Sequence, residues 1–305
     1  MIARKQKTLT SPLEFQGKGL HTGKTARMVL RPAPEGTGVV FHRVDLGPEA
    51  FVRALAENVS STARSTTISQ GETSVSTIEH LMSALSGMGV DNALVEIDNI
   101  EVPIFDGSAR YYVEAILGDG LSEQDAEKEY VFLPRVIEVK DEESGAYIKA
   151  TPSDVPSIDL TVDFGSRILG VQKAHWDENV DYAGQIGSCR TFVFFHEIEY
   201  LFQNNLVKGG DVDNAIVIVE RPVSGEQVGR LSSLFNVPRL EINESGYLNN
   251  LQLRFPDECG RHKLLDLIGD LALSGGTLMA KVEAFKPGHT INTRMARAIL
   301  DAISE

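Results

Sequence analysis

In 305 residues, 43 acidic against 29 basic side chains leave a net charge of −14, which excludes a nucleic-acid-coating role that needs basic surface for phosphates. With 42% hydrophobic and 24% charged residues the chain can build real cores, so disorder is excluded too, and the length suggests two domains. The longest apolar run, residues 215–219, is far short of the roughly 18 residues a spanning helix needs, so no integral membrane segment is expected.

At the N-terminus Arg4, Lys5 and Lys7 are basic, but no apolar stretch follows, which argues against a signal peptide. The only cysteines, Cys189 and Cys259, imply no disulfide framework, so a cytoplasmic location is expected. Next comes Gly17-Lys18-Gly19-Leu20-His21-Thr22-Gly23. It reads either as a glycine-rich hairpin or as backbone that approaches a ligand closely. It lacks both the P-loop and the dinucleotide-binding spacing, which excludes nucleotide-triphosphate and nicotinamide readings. Short β-rich runs follow at 26–31, 39–43 and 73–75. A helix is expected from about Ser76, because Ile78, Leu81, Met82 and Leu85 follow the i, i+3, i+4, i+7 pattern. His80 points well away from that stripe, and Ser76-x-x-Glu79 reads as a capping box. A strand at 93–97 and a second helix at 108–117 come next. The acidic, Gly-punctuated stretch 118–129 reads as a linker, dividing the chain into domains 1–125 and 126–305.

After the linker the same order recurs: strands near 131–139, 146–151 and 158–164, a helix at 260–273, a strand at 278–285 and a helix at 290–303. Strands, helix, strand, helix thus occurs twice. The fold class expected is α+β, two similar domains that each cover one face of a sheet with two helices. Residues 191–219 are aromatic-rich and read as a short helix plus a β-run inserted into the second domain; 222–258 is a polar surface excursion with no element assigned.

In the 260–273 helix, Leu264, Leu267, Ile268 and Leu271 make the buried stripe, and His262, Asp266 and Asp270 line up opposite it. That face reads as solvated polar surface or as part of a metal site. Lys286-Pro287-Gly288-His289-Thr290 forms a turn before the last helix, where a histidine is either incidental or catalytic. Taken together, His80, His262 and Asp266 match a catalytic zinc site with three protein ligands and one position open for water. Glu79 beside them suits a general base, and His289 a general acid charged by Asp270. Spacing alone makes this chemistry available without selecting it.

The motifs Gly17 to Gly23, Leu30-Arg31-Pro32-Ala33-Pro34, Ser76 to Leu81, Val102-Pro103-Ile104-Phe105-Asp106-Gly107-Ser108, Cys189-Arg190-Thr191-Phe192, Arg261 to Leu271 and Gly288-His289 lie in one order from end to end. In them the chain resembles the UDP-3-O-acyl-N-acetylglucosamine deacetylases, the zinc amidases of lipid A biosynthesis in Gram-negative bacteria. The resemblance implies two α+β domains facing each other across the site, each with an inserted element. It implies zinc on His80, His262 and Asp266 (iron(II) suits the same ligands), with Glu79 as base, His289 as acid and Asp270 supporting it. By the same carry-over Thr191 polarises the acetamide carbonyl, and Lys263, Phe192, Phe164, Leu20 and His21 bind substrate. The wall of an acyl-chain passage falls to Phe194, Ile198, Leu201, Phe202 and Val217. Val193 departs from the glycine of the family, which is expected to stiffen the loop and narrow acyl access, and 222–258 is longer than the family norm. Some members are fused to a downstream acyl-carrier-protein dehydratase, so a fused or associated dehydratase is the partner implied. A zinc amidase for another acylated sugar nucleotide, or a silent nucleotide-sugar or acyl binder, are the competing readings. The intact acid, base and ligand set speaks against the binder.

Overall fold

In the computed structural model, which describes residues 4–204, 208–211, 213–234 and 240–305, without the side chains of 199, 202, 203 and 234, alternating apolar residues set the strands of the first half. These are β1 (Lys5–Leu9), β2 (Leu13–Lys18), β3 (Thr25–Pro32), β4 (Val39–Arg43), β5 (Phe51–Arg53), β6 (Val59–Ser61), β7 (Thr67–Gln70) and β8 (Thr73–Val75). Helix α1 (Glu79–Met88), β9 (Ala93–Ile97) and α2 (Arg110–Asp119) complete it. Ala26, Met28 and Leu30 of β3 and Ala93, Val95 and Ile97 of β9 all point into the core, while their neighbours stay partly exposed. The sheet order is β2-β3-β9-β4-β5, with β4 and β9 parallel and the other pairs antiparallel.

The second half begins with β10 (Leu121–Glu127), β11 (Tyr130–Phe132), β12 (Ile137–Asp141), β13 (Ala146–Pro152), β14 (Ser157–Asp163), β15 (Val171–Asp177) and α3 (Tyr182–Gln185). An inserted layer follows: β16 (Phe192–Phe194), α4 (Phe195–Gln203), β17 (Ile216–Ile218) and α5 (Gly225–Leu234). Helix α6 (Glu258–Leu271), β18 (Thr277–Phe285) and α7 (His289–Ser304) close the chain. Its sheet runs β12-β13-β18-β14-β15, with β11 added alongside β18. Within that order the parallel pair is β14 with β18, in the place held by β4 and β9 in the first sheet, and β11 also runs parallel to β18. The two halves therefore repeat one topology. Each also places its insertion between the fifth strand of that order and the helix that follows: β6–β8 before α1, and 186–257 before α6.

Helix α1 packs on α6. Gly269 makes this possible, because a Cβ there would lie 2.0 Å from the Glu79 carbonyl oxygen. Apolar residues of both halves form one continuous core across the contact. A second cluster, including Phe195, Ile198, Val217, Leu231 and Leu248, lies under the inserted layer.

Several expectations are corrected. The linker-like stretch is strand β10, paired antiparallel with β1 so that Lys5 faces Glu127 and Lys7 faces Glu123. Opposite charges across the pair give the acidic stretch a partner that its composition alone does not reveal. There is no capping box, since α1 starts at Glu79 and the Ser76 hydroxyl donates to the Ile100 carbonyl instead. The polar face of α6 is not solvated: His262, Asp266 and Asp270 are as buried as the leucines opposite, because α1 covers them. Residues 222–258 are not a bare excursion either, for they include α5 and bury Leu231, Leu240 and Leu248.

Candidate active site

The N-terminal turn of α1 and the first turns of α6 meet at buried polar side chains. His80 and His262 each place Nε2 3.5 Å from the same oxygen, Oδ1 of Asp266. That oxygen is buried and accepts no hydrogen bond among the described residues. An orphaned buried carboxylate oxygen is costly unless something else fills its coordination. Ligand atoms of the three residues all lie within 4.8 Å of one another, which fits a single metal ion. The ring of His262 is oriented for this: its Nδ1 lies 3.1 Å from the Cys189 carbonyl, to which an Nδ1–H would donate, leaving Nε2 as the lone-pair nitrogen. Burial pulls the His262 imidazolium down to about 3, so the ring is neutral and able to ligate. Burial alone would push Asp266 up, but the charge of Lys263 holds it below the ordinary carboxylate value. Lys263 donates to the other Asp266 oxygen at 2.9 Å, fixing which oxygen faces the histidines.

A second cluster adjoins the first. The Thr66 amide donates to Glu79 Oε2 at 2.9 Å, and Glu79 Oε1 lies 3.9 Å from His289 Nε2. Burial raises the Glu79 pKa, against the opposing pull of His289 and His80. His289 opens α7, and its Nδ1 lies 2.9 Å from Asp270 Oδ2. Burial disfavours its charge, as does the positive end of the helix. The Asp270 and Glu79 carboxylates outweigh burial and push His289 up to about 9. Asp270 is completed by the Thr66 hydroxyl at 2.5 Å and the Asn292 amide at 2.9 Å.

Glu79, His80, His262, Lys263, Asp266 and His289 line one cavity of about 210 Å³, together with Leu20, His21, Arg64, Thr191 and Phe192. Those last five also line a more apolar cavity of about 310 Å³ under the inserted layer, where Val193, Ile198, Leu201 and Val217 form the wall. Asp270 stands behind His289 rather than in the cavity. Phe194 does not line the apolar cavity, and stands in an edge-on aromatic group with Phe164 and Phe192. Phe164 is 39% exposed, and the Phe202 side chain lies outside the described residues.

The framework also uses residues whose roles the sequence did not reveal. Arg190 and Glu258 form a buried ion pair at 2.8 Å, which ties the Cys189-Arg190-Thr191 turn to the start of α6. Gly107, at φ 81°, passes so close to the Asn214 carbonyl that a Cβ would lie 2.0 Å from it, and its own carbonyl accepts the Thr191 amide. Buried Glu101 accepts the amides of His21 and Thr22 and the Thr77 hydroxyl. Thr66 and Asn292 were also missed. Thr66 sits in the run Ser65-Thr66-Thr67, which has no periodicity to mark it. Glu101 carried one signal, its place directly before the Val102-Pro103 motif.

The family model described as LpxC, UDP-3-O-acyl N-acetylglycosamine deacetylase, matches residues 6–235 and 237–301. The chain is 44% identical over 302 residues to the bifunctional enzyme LpxC/FabZ of Porphyromonas gingivalis, covering 99% of this chain and 65% of that one. It is 42% identical to the bifunctional enzyme of Bacteroides thetaiotaomicron, covering 96% and 64%. To the UDP-3-O-acyl-N-acetylglucosamine deacetylase of Teredinibacter turnerae it is 40% identical over 301 residues, 97% of this chain and 90% of that one. The chain thus spans about two thirds of the bifunctional relatives and nearly all of the single-function one.

Proposed function

The chain belongs to the LpxC family of UDP-3-O-acyl N-acetylglycosamine deacetylases, and from that premise we propose that it hydrolyses the N-acetyl group of UDP-3-O-acyl-N-acetylglucosamine in lipid A synthesis. The products are acetate and the free glucosamine amine. The observation that carries this reading is one cavity in which two imidazoles and a carboxylate converge beside a buried carboxylate and a charged imidazole, opening onto an apolar cavity.

His80, His262 and Asp266 are the residues proposed to hold zinc, and iron(II) suits the same donors. When bound, the metal supplies positive charge that polarises a carbonyl and acidifies water beside it. Glu79, its pKa raised by burial, takes the proton of the attacking water. His289, protonated at neutral pH, gives a proton to the departing nitrogen from Nε2 while Asp270 keeps Nδ1 engaged. Water thus adds at the acetyl carbon, the C–N bond breaks, and the amine leaves with the proton from His289. Thr191 is proposed to donate toward the developing oxyanion, and Lys263 and Phe192 to contact the sugar nucleotide. Phe164, exposed and edge-on to Phe192, is proposed to stack on the uracil ring. The apolar cavity is proposed to take the acyl chain.

The repeat of sheet order supports a division into two domains near residue 125. No described helix is long and apolar enough to cross a membrane, and with Cys189 and Cys259 both free, the cytoplasm is the compartment proposed. A dehydratase partner is proposed from the LpxC/FabZ relatives.

The test is acetate release from the acylated UDP-N-acetylglucosamine by protein as purified, after chelation and after zinc is returned. Release lost on chelation and restored by zinc is expected. No release in any of the three conditions would sink the reading. The same substrate without its O-acyl chain is expected to react poorly, and equal rates would direct attention to another sugar nucleotide.

A further inference from the structure

Arg64 lies on the bend between β6 and β7 with φ 71°, a conformation that a long side chain rarely adopts. Its neighbours hold it there. Thr62 shares a 2.8 Å hydroxyl hydrogen bond with Thr290, and Thr66 bonds Glu79 through its amide and Asp270 through its hydroxyl. The bend is therefore tied on one side of Arg64 to the first turn of α7 and on the other to Glu79 and Asp270. Among the described residues the guanidinium has no ion-pair or hydrogen-bond partner. It lines both the polar cavity and the apolar one. Backbone strain held in place at the junction of two cavities, under an exposed and unpaired cation, calls for a ligand group that the cation meets.

We propose that Arg64 is a specificity-determining residue that donates to the carbonyl oxygen of the substrate's O-acyl ester, where the sugar hands over to the chain. This rests on the deacetylase reading. A ligand with its acetamide in the polar cavity and its chain in the apolar one must thread its connecting atoms past Leu20, His21, Arg64, Thr191 and Phe192, which the cavities share. An ester connection presents a carbonyl oxygen, an acceptor. Arg64 offers only donors, set in a planar fork. Thr191 is assigned to the acetamide, which leaves Arg64 as the strongest donor for the ester.

The test uses two ligands that the enzyme does not turn over: the deacetylated product, which keeps its 3-O-acyl ester, and a counterpart joined through a 3-O-alkyl ether, which lacks the carbonyl. Calorimetric titration of the wild-type protein, Arg64→Leu, Arg64→Lys and Arg64→Gly separates the contributions. Arg64→Leu is expected to weaken ester binding by about tenfold, the scale of one hydrogen bond to a charged group, and to leave ether binding within about twofold. Arg64→Lys is expected to recover part of the loss. Arg64→Gly adopts φ 71° without strain, so it is expected to melt no lower than wild type and still to lose ester binding. Equal loss on ester and ether, or no loss on either, overturns the inference while leaving the deacetylase reading intact. A wild-type protein that binds neither ligand overturns that reading and the inference with it.

Discussion

The two halves repeat a sheet order and an insertion point, yet they divide the chemistry unequally. Helix α1 contributes Glu79 and His80 from its first turn only. The equivalent helix α6 is longer and carries His262, Asp266 and Asp270 four residues apart along its buried face. The helices after the central strands differ more. The N-terminus of α2 puts exposed Arg110 in an i, i+4 pair with Glu114, whereas the N-terminus of α7 points His289 into the site. Topology explains where the halves meet, and side-chain identity explains why, of the corresponding helices α2 and α7, only α7 reaches the polar cavity. What lets them meet is small: a glycine on α6 against a carbonyl on α1.

The largest effects are expected from the side chains themselves. His262→Ala or Asp266→Ala should lose both bound metal and acetate release, read by metal content per chain and by rate. Glu79→Gln should keep its metal and lose turnover by about 10²–10⁴-fold, the range for a general base. A Glu79→Gln enzyme at near-wild-type rate would remove α1 from the proton chemistry and leave it only a ligand. Next comes the contact between the halves. Gly269→Ala should cost about 1–3 kcal/mol of stability, as overpacking does, and should reduce activity because Glu79 must move. The contrasting variant is Gly229→Ala in α5, where an added Cβ meets nothing within 4 Å; it should stabilise by about 0.5–1 kcal/mol. Thermal melts that rank the two variants the other way would break the account of the contact.

A smaller effect tests the acid that α7 supplies and the base it is paired with. A general acid must be protonated, so rate should fall as pH rises through about 9, the value to which His289 is raised. The base must be ionised, so rate should also fall at acid pH, over a limb lying above the ordinary carboxylate value because Glu79 is raised. Asp270→Asn removes the main carboxylate holding His289 up and leaves burial, which pulls it down. The alkaline limb should then move to lower pH. A pH–rate profile with an unmoved alkaline limb would assign that limb to another group.

Much of this was legible in sequence where periodicity is strong. Strands β4, β8 and β9 fall on the expected residues, and α6 and α7 within two residues of them. His262 and Asp266 could be picked out because one helix face carried polar groups at a spacing of four, and His80 because it stands off the apolar stripe of its own helix. What the sequence hid was mostly tertiary. The charge match that turns 118–129 into a strand lies in a segment more than 110 residues earlier in the chain. The burial of the polar face of α6 depends on α1, and Glu79 looked like a cap because its local pattern satisfies that rule. Thr66, Glu101 and Arg64 act through position alone, from bends and loops without a period.

The inserted layer should respond most mildly, because it walls the apolar cavity and supplies none of Glu79, His80, His262, Asp266 and His289. Val193 was expected to stiffen a loop; it lies in strand β16 opposite Val217 and lines the apolar cavity. It is not among the residues with positive φ, so the backbone there does not need glycine. Val193→Gly should therefore cost about 1–3 kcal/mol in stability, through lost packing and added chain entropy. It should also widen one wall, so that substrates with branched acyl chains gain in kcat/KM relative to straight ones of equal length. Each methylene kept in contact is worth about 0.8 kcal/mol, or about fourfold, so a straight-chain series should show that slope in wild type and a shallower one in the variant. Identical slopes would mean that Val193 faces the chain without touching it, and that the passage width is set by Ile198 and Leu201 across the cavity.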